Sequence, residues 1–199
     1  MEPKVGEVTR EAVSEMAVAA EAREPAAGGH QTRVAMIATL IANELGLDDE
    51  AIDGVRSAGQ LHDIGKVGMS SDVLAKDVRL SFTEWELLKT HCQTGYEILA
   101  GVIFNAPVAE MVLQHHERLD GSGYPAGLRG KEILLGSRII AVADTVEDQI
   151  IRGCGSVVDR LDAALGEITK GRGNLFDLHV VDACRHVRSD IAELFEYLQ

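Results

Sequence analysis

Cysteine is scarce in this sequence of 199 residues, and its three cysteines suggest no cross-linked framework. Cys92, Cys154 and Cys184 are odd in number, lie far apart and form no CxxC pair. This spacing excludes a disulfide scaffold or a zinc ribbon as the basis of the fold. A reducing compartment, the cytoplasm, fits this cysteine usage best.

Long apolar runs are also lacking. The longest fall far short of the ~20 residues that a membrane span needs. The N-terminal stretch MEPKVGEVTREAV is acidic and lacks the basic and apolar regions of a signal peptide. We therefore expect no membrane span and a cytoplasmic protein. The 46% hydrophobic and 26% charged residues are typical of a globular chain.

Positive charge is scarce as well, since 19 Lys and Arg face 32 Asp and Glu and leave a formal net charge of -13. A protein that binds nucleic-acid polymers normally shows the opposite sign or a basic stripe. We therefore expect no such partner. An anionic ligand would have to be held by a local positive centre, which metal ions can provide.

Apolar residues recur with helical spacing almost throughout the chain. Three early stripes follow the i, i+3, i+4 pattern of amphipathic helices: Val13, Met16, Ala17 and Ala20; Val34, Ile37, Ala38, Ile41 and Leu45; and Ile52, Val55 and Gly59. Ser81 and Glu84 predict a capping box at a helix start, and Pro107 suits the first turn of another helix.

Further helices are predicted over about Ser137–Ile150, Leu161–Thr169 and Val180–Leu198. No convincing strand pair is present. The sequence therefore predicts an all-α fold in a single domain over residues 1–199, with residues 1–9 as a flexible lead-in.

Several polar side chains interrupt the apolar stripes. Five histidines and two aspartates lie on or beside inward helix faces: His30, His62, Asp63, His91, His115, His116 and Asp144. One such histidine is usually a core residue with a hydrogen-bond partner. Seven such groups without compensation would cost several kcal/mol each. Metal ions are the usual compensation, and nitrogen with carboxylate ligands suits iron, manganese, nickel or zinc.

Seven ligands are too many for one ion and suit two. The adjacent His62 and Asp63 can serve both ions if the carboxylate bridges them. The adjacent His115 and His116 diverge by about 100° on a helix, so they can reach one ion only where the helix ends or deforms. The glycine-rich loop that begins at Asp120 is consistent with such an end.

Five segments resemble the HD-GYP family, a branch of the HD superfamily of metal-dependent phosphohydrolases. L-H-D-I-G-K at Leu61–Lys66 is similar to the HDxxK motif, and H-H-E-R-L-D-G-S-G-Y-P at His115–Pro125 to the family signature. Arg23–His30 resembles the lead into the first ligand histidine. Lys89–His91 and Val142–Asp144 supply the remaining ligand positions. The likeness runs from about residue 10 to 190.

The resemblance implies a compact helical bundle of about seven or more helices that hydrolyses cyclic di-GMP to linear pGpG and possibly GMP. The seven residues would bind two metal ions, with iron or manganese favoured over nickel or zinc. Three-metal members have a glutamate where this chain has Ala26, so two ions are implied. Asp63 would bridge them, and Lys66 would neutralise a phosphate oxygen.

The resemblance also implies that the loop at Gly123, Tyr124 and Pro125 binds substrate. Glycine lets backbone approach the ligand closely, the tyrosine offers a ring for a base, and the proline stiffens the turn. The alternatives are that the loop is a plain helix connector and that Lys66 is a solvent-facing lysine at a helix end.

One segment departs from the family. Its R-P-Y-R-like stretch falls here on Gly153–Ser156, and only Arg152 could replace the lost basic groups as a substrate contact. Two other functions therefore stay open. The domain could be a weak or inactive cyclic-dinucleotide sensor that docks on signalling proteins through the GYP loop, or a phosphodiesterase for another cyclic dinucleotide.

Overall fold

The computed structural model describes residues 9–23, 28–74 and 80–197. Within these ranges the chain forms ten α-helices and two 3-10 segments, and its only bridges between extended residues are isolated ones. The α-helices are α1 Arg10–Glu21, α2 His30–Glu44, α3 Asp49–Leu61, α4 Ser71–Leu74, α5 Phe82–Leu99, α6 Val108–Gln114, α7 Leu135–Arg152, α8 Val157–Lys170, α9 Leu178–His186 and α10 Arg188–Tyr197. The all-α prediction is confirmed. Most of the predicted lead-in, residues 1–8, and Ala26 lie outside the described residues.

Helix α2 lies at the centre of the bundle. It packs against α3, α7 and α9, and α7 in turn packs against α3 and α8. Its stripe of Val34, Ile37 and Ile41 is fully buried. The apolar core is continuous and takes side chains from every described helix except the short α4. None of the described helices combines the length and the apolar character needed to cross a bilayer.

Two helix ends differ from the prediction. Pro107 precedes α6 as its N-cap residue and does not lie inside the first turn. The single helix predicted over Val180–Leu198 is wrong, because the chain bends at the buried Val187 between α9 and α10. The bend has a packing reason: α9 lies on α2 and α7, whereas α10 lies mainly on α8.

The predicted start of α5 is confirmed, whereas α7 and α8 begin at Leu135 and Val157, two and four residues before their predicted starts. Ser81 and Glu84 form the predicted reciprocal capping box of α5, which stabilises the first turn by satisfying free N–H groups. Ser156 and Asp159 form a similar box at the start of α8.

A close backbone contact brings two of the predicted site segments together. The 3-10 segment Ile64–Gly68 packs against α5. A Cβ atom at Gly65 would lie 2.0 Å from the carbonyl oxygen of His91 and 2.7 Å from the amide nitrogen of Gly95. Only glycine permits this approach, which places the end of α3 beside the middle of α5.

Candidate metal centre

Three side chains from separate helices form the first cluster of possible metal ligands: His30 at the start of α2, His62 directly after α3, and Asp144 in α7. The Nε2 atoms of His30 and His62 are 3.2 Å apart. Asp144 Oδ1 lies 3.4 Å from His30 Nε2 and 3.9 Å from His62 Nε2.

The second cluster contains His91 of α5, then His115 and His116 directly after α6, and also Cys92. The Nε2 atoms of His91 and His115 are 3.2 Å apart. Helix α6 ends at Gln114, so the two adjacent histidines converge with ring centroids 4.0 Å apart. The expected helix end is therefore present where the two imidazoles need it.

Asp63 lies between the two clusters. Its Oδ2 atom is 3.4 Å from His62 Nε2 and 3.7 Å from His30 Nε2, both in the first cluster. Its Oδ1 atom is 3.4 Å from His91 Nε2 in the second. Lys66 Nζ contacts Oδ2 at 2.7 Å. One carboxylate thus directs one oxygen to each cluster, the arrangement that a bridging ligand requires.

The chain itself fixes the orientation of the ligand rings. The Nδ1 atoms of His62, His91 and His115 lie 2.8, 2.7 and 2.6 Å from the carbonyl oxygens three residues earlier. A carbonyl oxygen can only accept, so each Nδ1 must carry the proton. In the neutral ring, Nε2 then presents its lone pair to the cluster, as in histidine metal sites generally.

These donors fit metal ions. The facing Nε2 atoms of His91 and His115 both present lone pairs at 3.2 Å, an arrangement that a cation between them would stabilise. With metal–nitrogen bonds of about 2.1 Å, two nitrogen ligands of one ion lie about 3–3.5 Å apart. The donor separations of 3.2 to 3.9 Å in the first cluster are close to that range. The described residues could therefore hold divalent metal at both clusters.

Burial and charge distinguish the two clusters. Burial lowers the pKa values of His91, His115 and His116, which keeps these rings neutral and available as ligands. Burial also opposes protonation of His30. However, the hydrogen bond to Glu147 and the nearby charges of Asp144 and Asp63 outweigh it and raise the His30 pKa to about 9.

Opposing effects also set the pKa of Asp63. Burial alone would raise the pKa of its carboxyl group, but Lys66 and then the surrounding histidines hold it well below its usual range. Asp63 is 5% exposed. The carboxylate therefore remains ionised inside the protein and can serve as a ligand at neutral pH.

Glu147 is a residue of the site that was not among the predicted ones. Its Oε2 atom lies 2.6 Å from His30 Nδ1, and its Oε1 atom accepts hydrogen bonds from Arg33 at 2.7 and 2.6 Å. Glu147 is 2% exposed. It lies one turn after Asp144 on the inward face of α7, and a buried carboxylate at that spacing was the available signal.

Glu117 is a second residue without an assigned role. Glu117 is 2% exposed. Its carboxylate accepts hydrogen bonds from the backbone N–H groups of Ala126, Gly127 and Leu128 at 2.7, 3.1 and 3.1 Å. The GYP loop is thereby fastened to the segment that carries the paired histidines. The third letter of the H-H-E motif was the signal for this anchor.

The loop residues lie beside the second cluster. A Cβ atom at Gly123 would lie 2.4 Å from the backbone of Glu117 and Arg118, so this position needs glycine. The ring of Tyr124 packs on His116 with centroids 4.8 Å apart and planes at 36°. Pro125 follows through a cis peptide bond and is exposed.

Arg152 lies away from this arrangement. It is the last residue of α7, its side chain is 79% exposed, and it forms an ion pair with Asp148. Gly153 ends α7, Gly155 has a φ of 103°, and Ser156 caps α8. The departing segment is therefore built as a helix connection, and Arg152 as a substrate contact stays a prediction.

A helical bundle that joins His62-Asp63 to histidines from neighbouring helices defines a class, the HD-type metal-binding domains. A family model described as an HD domain matches residues 15–180. The chain belongs to the HD-domain family. Within it, the most similar named relatives confirm the resemblance to the HD-GYP branch.

Among these relatives is the cyclic di-GMP phosphodiesterase response regulator RpfG of Xanthomonas campestris pv. campestris, 37% identical over 193 residues. The match covers 96% of this chain and 51% of RpfG. The 3'3'-cGAMP-specific phosphodiesterase 3 of Vibrio cholerae is 41% identical over 124 residues, which are 62% of this chain and 27% of the relative. The chain thus spans about half the length of RpfG and about a quarter of the length of the other relative.

The fold is also similar to a solved structure. A cyclic GMP-AMP specific phosphodiesterase of V. cholerae superposes with a TM-score of 0.67 at 21% identity, covering 89% of this chain and 49% of that one. At this level of identity the likeness concerns the fold alone.

Proposed function

We propose that this domain, taken as a single unit over residues 1–199, is a metal-dependent phosphodiesterase that hydrolyses cyclic di-GMP to linear pGpG, which a second hydrolysis would convert to GMP. The observation that carries the proposal is the position of Asp63, with one oxygen directed to each of two histidine clusters. The curated relative that spans nearly the whole chain is named for the same activity. Cyclic di-GMP is a bacterial second messenger, so the proposed activity belongs in the cytoplasm.

Two divalent transition-metal ions would complete the site. His30, His62 and Asp144 would hold one, His91, His115 and His116 the other, and Asp63 would bridge them. When bound, such ions bind phosphate oxygens and lower the pKa of a water molecule. Iron or manganese is favoured, because the donors are imidazole nitrogens and carboxylate oxygens. The positive charge of the two ions would also allow a chain with a net charge of -13 to bind a polyanion.

Lys66 supplies a positive charge that does not depend on metal. Its Nζ atom lies 2.7 Å from Asp63 Oδ2, and its side chain is 16% exposed. A partly buried ammonium at this place would stabilise negative charge that develops on a non-bridging phosphate oxygen, since few water molecules can screen it. This is the role assigned to Lys66 in catalysis.

The GYP loop would bound the substrate site on the side of His116. Glu117 holds the loop in place, so Gly123 and Tyr124 approach the second cluster as a fixed wall. A fixed loop beside a complete set of ligands suits catalysis better than a purely docking role. Contacts between this loop and signalling proteins would add to the enzymatic function without replacing it.

A second substrate has specific support. The relative with 41% identity over part of the chain is named for 3'3'-cGAMP, which shares one guanine and both phosphodiesters with cyclic di-GMP. The metal centre would act on either substrate. Discrimination between them must come from residues that contact the bases.

The test is product analysis on purified protein supplied with iron or manganese, together with metal content per chain. We expect about two ions per chain and hydrolysis of cyclic di-GMP. Comparing its hydrolysis rate with that of 3'3'-cGAMP shows which of the two is the better substrate. Asp63→Ala should abolish activity and remove most of one ion. Lys66→Ala should retain both ions and slow turnover by about 100-fold or more.

The exposed His179 provides a control, because His179→Ala should change neither metal content nor rate. Protein that binds two ions but cleaves no cyclic dinucleotide would contradict the proposed activity. Equal metal loss in the Asp63 and Lys66 variants would contradict the separate roles of these residues.

A further inference from the structure

A row of rings leads outward from the second cluster to the protein surface. His116 packs on Tyr124, and Tyr124 meets Trp85 edge to face with centroids 6.2 Å apart and planes at 78°. Trp85 lies near the start of α5 and is 42% exposed. The indole is therefore the outermost ring of a series that begins at a metal-ligand candidate.

Lys89 lies beside the two outer rings, one helical turn after Trp85. Its Nζ atom is 5.8 Å from the Trp85 ring centroid and 5.6 Å from the Tyr124 ring centroid. It also forms an ion pair with Glu86 at 2.6 Å. Cation–π attraction and this ion pair keep the ammonium next to the indole. A planar ligand on Trp85 would thus meet hydrogen-bond donors at its edge.

Trp85 is better placed than Tyr124 to receive a base. The Tyr124 ring already has His116 packed on it and Lys89 over it, and it is half-buried. Trp85 also has Lys89 near its ring, but its one ring contact is the edge contact with Tyr124, no ring is stacked on it, and it is 42% exposed. Phe82 is still more exposed, at 80%, but it is not part of the row of rings.

We propose that Trp85 and Lys89 form a subsite for a guanine base of the cyclic dinucleotide. This inference rests on the proposed function and names a base contact within the same site. A base would stack on the indole, as bases do on aromatic side chains of single-strand-binding proteins. Lys89 would donate to O6 and N7, which are both acceptors in guanine. Adenine has an amino donor in place of O6, so the subsite favours guanine.

Trp85 is the only tryptophan of the chain, so its fluorescence reports directly on this subsite. The metal-loaded protein would be titrated with a hydrolysis-resistant phosphorothioate analogue of cyclic di-GMP. We expect saturable quenching of the tryptophan emission, with a midpoint equal to the dissociation constant from calorimetry. Calorimetric binding without any change in emission would overturn the subsite.

Kinetics of three variants give an independent test. Trp85→Ala should raise the KM for cyclic di-GMP by roughly 5- to 150-fold, the range expected for the loss of one stacked base. Trp85→Phe should recover most of the affinity, because it restores a ring. Phe82→Ala is the matched control on the same helix and should behave like the parent. Metal content and turnover of bis(p-nitrophenyl) phosphate should stay constant in all three.

Specificity tests Lys89. The parent should prefer cyclic di-GMP to cyclic di-AMP in kcat/KM, and Lys89→Ala should reduce this preference while leaving bis(p-nitrophenyl) phosphate turnover unchanged. Unchanged KM in Trp85→Ala and unchanged preference in Lys89→Ala would refute the subsite even though the parent is active. A parent that hydrolyses no cyclic dinucleotide would refute the proposed function instead, and the fluorescence titration would then still decide the subsite.

Discussion

Replacing Glu147 by glutamine tests how the protein controls metal binding at the first cluster. Glu147→Gln keeps the side-chain size but removes the charge that lies 2.6 Å from His30 Nδ1. That carboxylate helps raise the His30 pKa to about 9. A pKa of about 9 favours a protonated His30 at pH 7, and a metal ion bound through Nε2 would have to displace that proton.

Two opposing effects set the expected magnitude. Loss of a carboxylate that orients a ligand histidine typically weakens metal affinity by about 10- to 100-fold. Against this, a His30 pKa of about 9 leaves only about 1% of the ring neutral at pH 7, which lowers the apparent affinity of the parent about 100-fold. In Glu147→Gln the pKa of His30 should fall, so a proton competes much less with the metal ion for His30.

The raised pKa of His30 determines how the metal affinity of the parent changes with pH. Metal binding by the parent should strengthen as pH rises from 7 to 9, because the competing proton leaves His30 over that range. At pH 9 the parent should bind the first ion about 10- to 100-fold more tightly than Glu147→Gln. At pH 7 the difference should shrink strongly or reverse. Titration against a chelator of known affinity at both pH values measures this.

Stability needs its own control, because Glu147 also pairs with Arg33, whose side chain is 13% exposed. The single variant leaves a guanidinium buried without a carboxylate, which can cost about 3–5 kcal/mol of unfolding free energy. The double variant Arg33→Met/Glu147→Gln should recover that stability but not the metal affinity at pH 9. An affinity ratio between parent and Glu147→Gln that is the same at both pH values would refute the reasoning.

Three further predictions follow from other contacts. Gly65→Ala should lower the free energy of unfolding by more than about 2 kcal/mol and loosen the second cluster, because the new Cβ atom would lie 2.0 Å from a backbone oxygen. Gly166→Ala on α8 is the control, since its Cβ atom would meet open space, and it should raise the free energy of unfolding by about 0.5–1 kcal/mol. Urea unfolding measures both. Burial raises the pKa of Asp177, but its bonds to Arg138 and to the α9 backbone lower it on balance. Asp177→Ala should thus cost about 1 kcal/mol at pH 7, a difference that disappears as acid titrates the parent below about pH 4. Arg152→Ala should leave bis(p-nitrophenyl) phosphate turnover unchanged, and equal cyclic di-GMP kinetics would exclude this exposed arginine from substrate binding.

The Arg-Pro-Tyr-Arg sequence could not be restored at residues 153–156 without other changes. A Cβ atom at Gly153 would lie 2.8 Å from the carbonyl oxygen of Gln149, and Gly155 has a left-handed φ of 103°. Ser156 caps α8, and arginine would remove that cap. The departure from the family pattern is thus tied to the way α7 and α8 are joined here.

The side chains of the two candidate metal clusters could be picked out in the sequence because they interrupt helical stripes or stand where a stripe ends. His62 and His115 directly follow α3 and α6, and this local property is visible in the sequence. The role of Glu147 was not predictable in the same way. It depends on α2 packing against α7, which brings together residues 117 positions apart.

The break at Val187 was missed for a similar reason. The stretch between α9 and α10 contains neither proline nor glycine, and its apolar residues continue with helical spacing. The bend arises because α9 and α10 pack on different neighbours. Tertiary packing of this kind outweighs a local helical preference that is worth only tenths of a kcal/mol per residue.

The bonds from backbone carbonyls to the ligand imidazoles also bear on how ions enter and leave. Two of these carbonyls, at Gly59 and Val112, lie in the last turns of α3 and α6, where carbonyl groups have no partner within the helix. An arriving ion meets rings whose rotamers are already fixed, so little side-chain entropy is lost on binding. Metal binding and release should therefore not be coupled to folding. The metal-free protein should keep its helices.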